Sequence, residues 1–185
     1  MKGVVWKYLA NPDDQELRDE MGKSGCRVLN PDPDFWGNKF PVWSICGPRV
    51  RATLDEGDVL FFTPTLSRSR RAQVPDYLCT GYLVVNEILP DSDSLLSDPR
   101  FTDRYKDNYR KDLNKHLKGD PATTRAQRPK RIVLGDRRQS VWFGRRGHPL
   151  EVAAKEAGLR KFQIRSRRVR TLDEDESKRL RAAVS

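Results

Sequence analysis

Two apolar runs do most to limit what this chain can become: "DVLFFTP" at 58–64 and "YLCTGYLVVNEIL" at 77–89. Both are short, rich in β-branched and aromatic residues, and bounded by Asp, Pro or Gly, which is the pattern of strands. The first is apolar without alternation, so both of its faces must be covered. Gly81, inside the second, marks a bulge or the close approach of another chain segment. A further strand is expected at "GVVWKYL" (3–9), stopped by the turn residues "NPDD".

With 185 residues the chain can bury one core with appendages and is too short for two full ones. It is lean and charge-rich, so its four Trp, five Tyr and seven Phe must supply much of what is buried. "NPDPDFWGNKFP" (30–41) reads as an ordered loop carrying Phe35, Trp36 and Phe40, because its prolines lack donors and its Asn, Asp and Gly favour turns. "GPRVRATLDEGD" (47–58) predicts a two-turn helix, with Pro48 in its first turn and Gly57 in the left-handed turn after it. "TLSRSRRAQVP" (65–75) is a basic loop, and 97–129 is polar with one short helix expected near Tyr109–Leu117. "KRIVLGDRRQSVWFG" (130–144) predicts a hairpin about a Gly-Asp turn. Helices are expected at 148–158 and 171–184, the second opening with Thr171 and Glu174 at capping-box spacing.

Charge is divided unevenly along the chain. Residues 1–99 carry 11 basic and 15 acidic side chains, whereas residues 100–185 carry 25 and 11, a surplus of 14 positive charges. Clustered Lys and Arg release counterions from phosphates, so the second half suits a polyanion; a solubilising surface has the same composition. No apolar run reaches the roughly 20 residues of a membrane span, and the N-terminus lacks the apolar stretch of a signal peptide, so a cytoplasmic protein without membrane contact is expected. Cys26, Cys46 and Cys79 are odd in number and lack Cys-x-x-Cys spacing, so neither a disulfide framework nor a metal cluster is expected.

The segment "FWGNKFPVWSICGPRVRATLDEGDVLFF" resembles the nucleotide-modification-associated domain family. The likeness rests on the aromatic, Gly-containing loop, on Cys46, Gly47, Pro48, Arg49, Val50 and Arg51, and on the Gly57-Asp58 step into an apolar strand. More widely the segment is similar to the PUA, ASCH and EVE group of small β-barrels, although the Arg-Asn step of EVE-like relatives is absent. The resemblance implies an α+β fold built on a small, mostly antiparallel PUA-like β-barrel flanked by helices, a pocket for a base, and an association with DNA base modification. Residues 1–160 form that domain in this reading, and 161–185 form a basic C-terminal extension ending in a helix.

Several residues can carry such a function, each with a plainer alternative. Trp36 and Trp43, with Phe35 and Phe62, offer a stacking slot for a flipped or single-stranded base, or simply core, the plainer reading being the stronger for Phe62 on its apolar strand. Asp58 can accept from a base edge, or from backbone N–H groups at its own turn. Arg49, Arg51, Arg68, Arg70, Arg71, Lys130 and Arg131 are the candidate phosphate ligands, since a guanidinium fork donates two parallel bonds; solvated surface is the alternative. The pairs at 137–138 and 145–146 and the run at 165–170 extend this set or form a separate patch. Trp142 and Phe143 alternate on a strand, so at most one faces a pocket.

Catalytic candidates are few: Asp58, Asp107 and His116, the last with Asp112 four residues before it. No phosphate-binding Gly-rich loop and no deaminase signature occurs. The expected function is therefore a module that binds nucleic acid, DNA above all, or a nucleotide, without a cofactor. An enzyme acting on nucleotides or DNA bases and an adaptor for an acidic protein are the alternatives, and the sequence leaves the oligomeric state open.

Overall fold

The computed structural model describes residues 1–9, 39–45, 47–65, 78–116, 129–143, 148–159 and 169–185, apart from the side chains of 7–9, 64, 65, 78, 112, 115 and 116. The fold is α+β. Its strands are β1 (Gly3–Leu9), β2 (Val42–Trp43), β3 (Val59–Thr65), β4 (Leu78–Cys79), β5 (Gly81–Asp91), β6 (Lys130–Gly135), β7 (Val141–Trp142), β8 (His148–Pro149) and β9 (Val169–Leu172). The helices among the described residues are α1 (Pro48–Arg51), α2 (Ser92–Ser97), α3 (Asp103–His116), α4 (Leu150–Glu156) and α5 (Glu174–Val184).

The main sheet runs β2-β6-β5-β3-β1-β9, with β7 added to β5; β4 and β8 form a separate pair. Among the described residues only β1 and β3 run parallel, so the sheet is mixed but mostly antiparallel. The expected barrel is not closed: β2 and β9 end the path without pairing to one another among the described residues. The sheet curls instead. Four strand steps of about 4.8 Å would hold β2 and β1 some 19 Å apart if the sheet were flat. Yet Trp43 of β2 and Trp6 of β1 have ring centroids 4.7 Å apart.

Inside the curl lie Val4 and Trp6, Leu60 and Phe62, Leu83 and Val85, Val133, and Trp43 with Val50 and Leu54. The alternate residues Val5, Val59, Phe61, Tyr82 and Val84 face outward under α4 and α5, where they meet Leu150 and Ala154 of α4 and Leu180 and Val184 of α5, each helical pair spaced by four. This double covering is what the unbroken run of β3 anticipated. A third cluster forms where Tyr105, Tyr109 and Leu113 of α3, spaced by four, pack on Leu89, Ile132 and Leu134.

Several local expectations are corrected. The helix opening at Pro48 lasts one turn, and Gly57 (φ +86°) serves the turn into β3. Strands β6 and β7 do not pair with each other as a hairpin: both lie in series along one edge of the 11-residue β5. Helix α3 is longer than expected because its tyrosine stripe has a sheet to cover, and α2 is capped by Asp91, whose carboxylate accepts from Ser94 N. Thr171 is drawn into β9, so the capping box of α5 is made by Asp173 and Glu176. Residues 169–185 are consequently no extension: β9 pairs with β1, and Leu172, Leu180 and Val184 are core.

Candidate nucleic-acid interface

The segment from Trp43 to Asp58, expected to line a pocket, is an internal brace. Trp43 is fully buried; Trp6, Phe62 and the Arg51 guanidinium surround its ring, the last at 5.7 Å. It cannot stack on a base from solution. Gly47 (φ +61°) lets the chain pass beside it, since a Cβ there would lie 2.7 Å from Trp43 Cζ2 and 3.1 Å from Trp6 Cζ2.

Arg51, expected at phosphate, is also fully buried. Its Nε donates to the carbonyl of Arg131 at 3.0 Å and its Nη2 to that of Lys130 at 3.4 Å. Arg131 answers: its Nε donates to the Arg51 carbonyl at 3.2 Å and its Nη2 to the Leu54 carbonyl, with Asp55 3.7 Å away. Two guanidinium groups thus clasp the end of α1 to the start of β6, where carbonyl oxygens at a helix C-terminus favour positive charge. Arg131 holds a left-handed backbone (φ +56°) within this clasp.

Asp58 follows its plainer reading. Its carboxylate accepts from Lys2 N at 2.8 Å and from Asp55 N at 2.9 Å, and pairs with Lys2 Nζ at 3.1 Å. The Asp58 hydrogen bond holds the Lys2 ammonium above its ordinary pKa. Asp107 is exposed and bound to Arg110 on α3 at 2.8 Å. His116 ends that helix, its side chain outside the described residues, as are Trp36, Phe35, Arg68, Arg70 and Arg71. Arg49 and Lys130 are exposed.

Register places Cys79 opposite His148, a pairing of residue types used by thiol nucleophiles. Burial, however, pushes the Cys79 thiol up to about 12, so the nucleophilic thiolate is suppressed. Among the described residues no group of three or more His, Cys, Asp and Glu side chains is placed to hold a metal ion, and no helix is long and apolar enough to cross a membrane.

What the structure does assemble lies between β6 and β7. Asp136 N donates to Val84 O at 2.8 Å, Ser140 N to Asp136 O at 2.9 Å, and Val84 N to Ser140 Oγ at 3.0 Å, pinching residues 136–140 into a turn docked on β5. The Asp136 carboxylate accepts from Arg138 N, Gln139 N and Gln139 Nε2 at 2.7, 3.1 and 3.0 Å. These bonds, the Gln139 side chain foremost, lower its pKa. Arg181 of α5 reaches Gln139 O at 3.3 Å and Oε1 at 3.4 Å while lying over the Tyr82 ring at 5.3 Å.

The result is a tied turn that presents Arg137 and Arg138 to solvent. It feeds directly into β7, whose Trp142 is half-buried, as is Phe143 just after the strand. They occupy opposite faces as alternation requires: Trp142 packs on Phe62 inside the curl, Phe143 on Tyr82 and His148 outside it. Gly81 makes room, since a Cβ there would sit 2.6 Å from Val141 O and 2.8 Å from Trp142 Cε3. The Asp-Arg-Arg-Gln spacing of an Asx turn was the available sequence signal for this tie; the Arg181 support was not visible locally. No protein-family model, no curated protein and no solved structure matches the chain.

Proposed function

We propose that this chain is a nucleic-acid-binding module of the nucleotide-modification-associated kind, its curled sheet PUA-like and its ligand a nucleic acid, DNA above all, with bases plain or modified. One observation carries the reading: the Asp136-tied turn holds two exposed guanidinium groups beside half-buried aromatic rings, within the half of the chain that has 14 surplus positive charges. Guanidinium groups fix phosphates and aromatic faces accept bases, and a turn whose backbone is already tied loses little freedom on binding.

In this reading Arg137 and Arg138 anchor the backbone, with Arg49, Lys130, Arg68, Arg70 and Arg71 extending the phosphate track and Trp36 and Phe35 adding aromatic surface. The place of action is the cytoplasm. Fluorescence anisotropy with labelled DNA across a salt series tests it. Affinity should fall steeply with salt, and Arg137→Ala with Arg138→Ala should make the negative slope of log K against log salt shallower by roughly 1.4–1.8, for every sequence alike. Absence of binding at ~50 mM salt, or an unchanged slope in the double variant, refutes the reading.

A further inference from the structure

Resting on that reading, we infer that Arg181 of α5 is a positioning residue for the β6–β7 turn: acting through Gln139, it fixes the backbone that presents Arg137 and Arg138, and so sets how tightly the turn holds a phosphate backbone that Arg181 itself does not touch. The bonds form one chain. Arg181 Nη2 donates to Gln139 O at 3.3 Å and its Nη1 to Gln139 Oε1 at 3.4 Å. Gln139 Nε2 then donates to Asp136 Oδ2 at 3.0 Å, while Asp136 Oδ1 accepts from Arg138 N and Gln139 N.

A guanidinium can only donate and an ionised carboxylate can only accept, so the Gln139 amide, with one end of each kind, fits between them in a single orientation. Arg181 therefore decides which way an otherwise exposed amide points, and that amide braces the carboxylate that ties the turn. Both ends of the chain rest on β5. Arg181 is half-buried and lies over the ring of Tyr82, itself buried, at 5.3 Å. Asp136 N donates to Val84 O, and Val84 N to Ser140 Oγ. With both Nη atoms turned to Gln139, the fork of Arg181 is committed to the turn, whereas Arg137 and Arg138 are exposed. A third guanidinium under a turn that already bears two brings like-charge repulsion, which a neutral donor would avoid if stability alone were served; beside a polyanion the same charge is favourable.

Arg181→Met keeps an apolar stem over Tyr82 and removes the fork. Anisotropy with labelled DNA over a salt series should show binding weaker by roughly 2- to 10-fold, at a slope of log K against log salt within about 0.3 of the native one, because order is lost and no phosphate contact is. Arg181→Lys should stay close to Arg181→Met, since an ammonium returns the charge without the fork. Gln139→Met, at an exposed position, should reproduce the loss, and the double variant should bind no more weakly than either single one. Without DNA, hydrogen exchange at the Arg138 and Gln139 amides should quicken by a similar factor in both single variants. A slope shallower by about 0.7–0.9 in Arg181→Met makes Arg181 a phosphate ligand and overturns the inference. Native affinity in that variant, full recovery with lysine, or native exchange at both amides overturns it equally. If Arg181→Met does not fold, the affinity, slope and amide exchange of Gln139→Met decide. A native protein that binds no DNA refutes the underlying reading, and the inference with it.

Discussion

Arg51 separates a brace from a ligand, and its removal is the sharpest test of the structural account. In Arg51→Ala the carbonyls of Arg131 and Lys130 lose a charged donor. The 3.0 Å bond is worth about 2 kcal/mol and the 3.4 Å bond about 1 kcal/mol. Two methylenes beyond Cβ leave the interior beside Trp43, costing about 0.8 kcal/mol each. Relief of the desolvation of a buried charge offsets part of this sum, leaving a net loss of about 3–4 kcal/mol. For a chain of 185 residues, at about 2–4 °C per kcal/mol, the melting temperature should fall by roughly 6–16 °C. Urea unfolding should show a lower midpoint at unchanged slope. Arg51→Lys should recover little, since an ammonium cannot reproduce the fork. A cycle with Arg131→Ala should be non-additive by about 0.5–3 kcal/mol, because each side chain holds the other residue's carbonyl. If Arg51→Ala instead leaves stability within about 0.5 kcal/mol and weakens nucleic-acid binding, the clasp is wrong and the phosphate role stands.

Two glycines with similar φ should respond differently to alanine. Gly47→Ala meets two indole rings as well as backbone strain and should cost about 3–4 kcal/mol, whereas Gly57→Ala has nothing within 4 Å and should cost about 1–2 kcal/mol; chemical denaturation compares them. Asp58→Asn should lower stability by about 2 kcal/mol through loss of charge-assisted bonds to Lys2 and Asp55, readable as a shift in denaturation midpoint. Cys79 should resist alkylation in the native state, followed by mass spectrometry of its peptide, and react on unfolding. Its folded pKa is raised, so the associated stability is present below pH 9 and lost as pH rises toward about 12; a melting series over that window should decline.

The longer strands and much of their chemistry were written in local pattern. Runs such as Val59–Thr65 and Gly81–Asp91 are apolar and β-branched over strand length, and that local pattern survives in the fold. Gly81 was legible as a bulge or a close approach, and the fold takes the second, with β7 filling the space. The tyrosine stripe of α3 was also present in the sequence, at a spacing of four, beneath a surface polar enough to conceal it.

Which residues of the candidate site face solvent depends on long-range packing. Trp43, Arg51 and Asp58 are the residue types a base pocket needs, and their use as a brace follows from the curl that sets β1 against β2 and α1 against β6. Those contacts join residues tens of positions apart, beyond the reach of any local period. The same holds for β6 and β7: the Gly-Asp step permits a hairpin, but β5 is long enough to take both strands along one edge, and the competing pairing wins. The turn so created, rather than the predicted pocket, is what carries Arg137 and Arg138 outward, because its polar backbone is satisfied by Asp136 and β5 and its arginines are left to solvent.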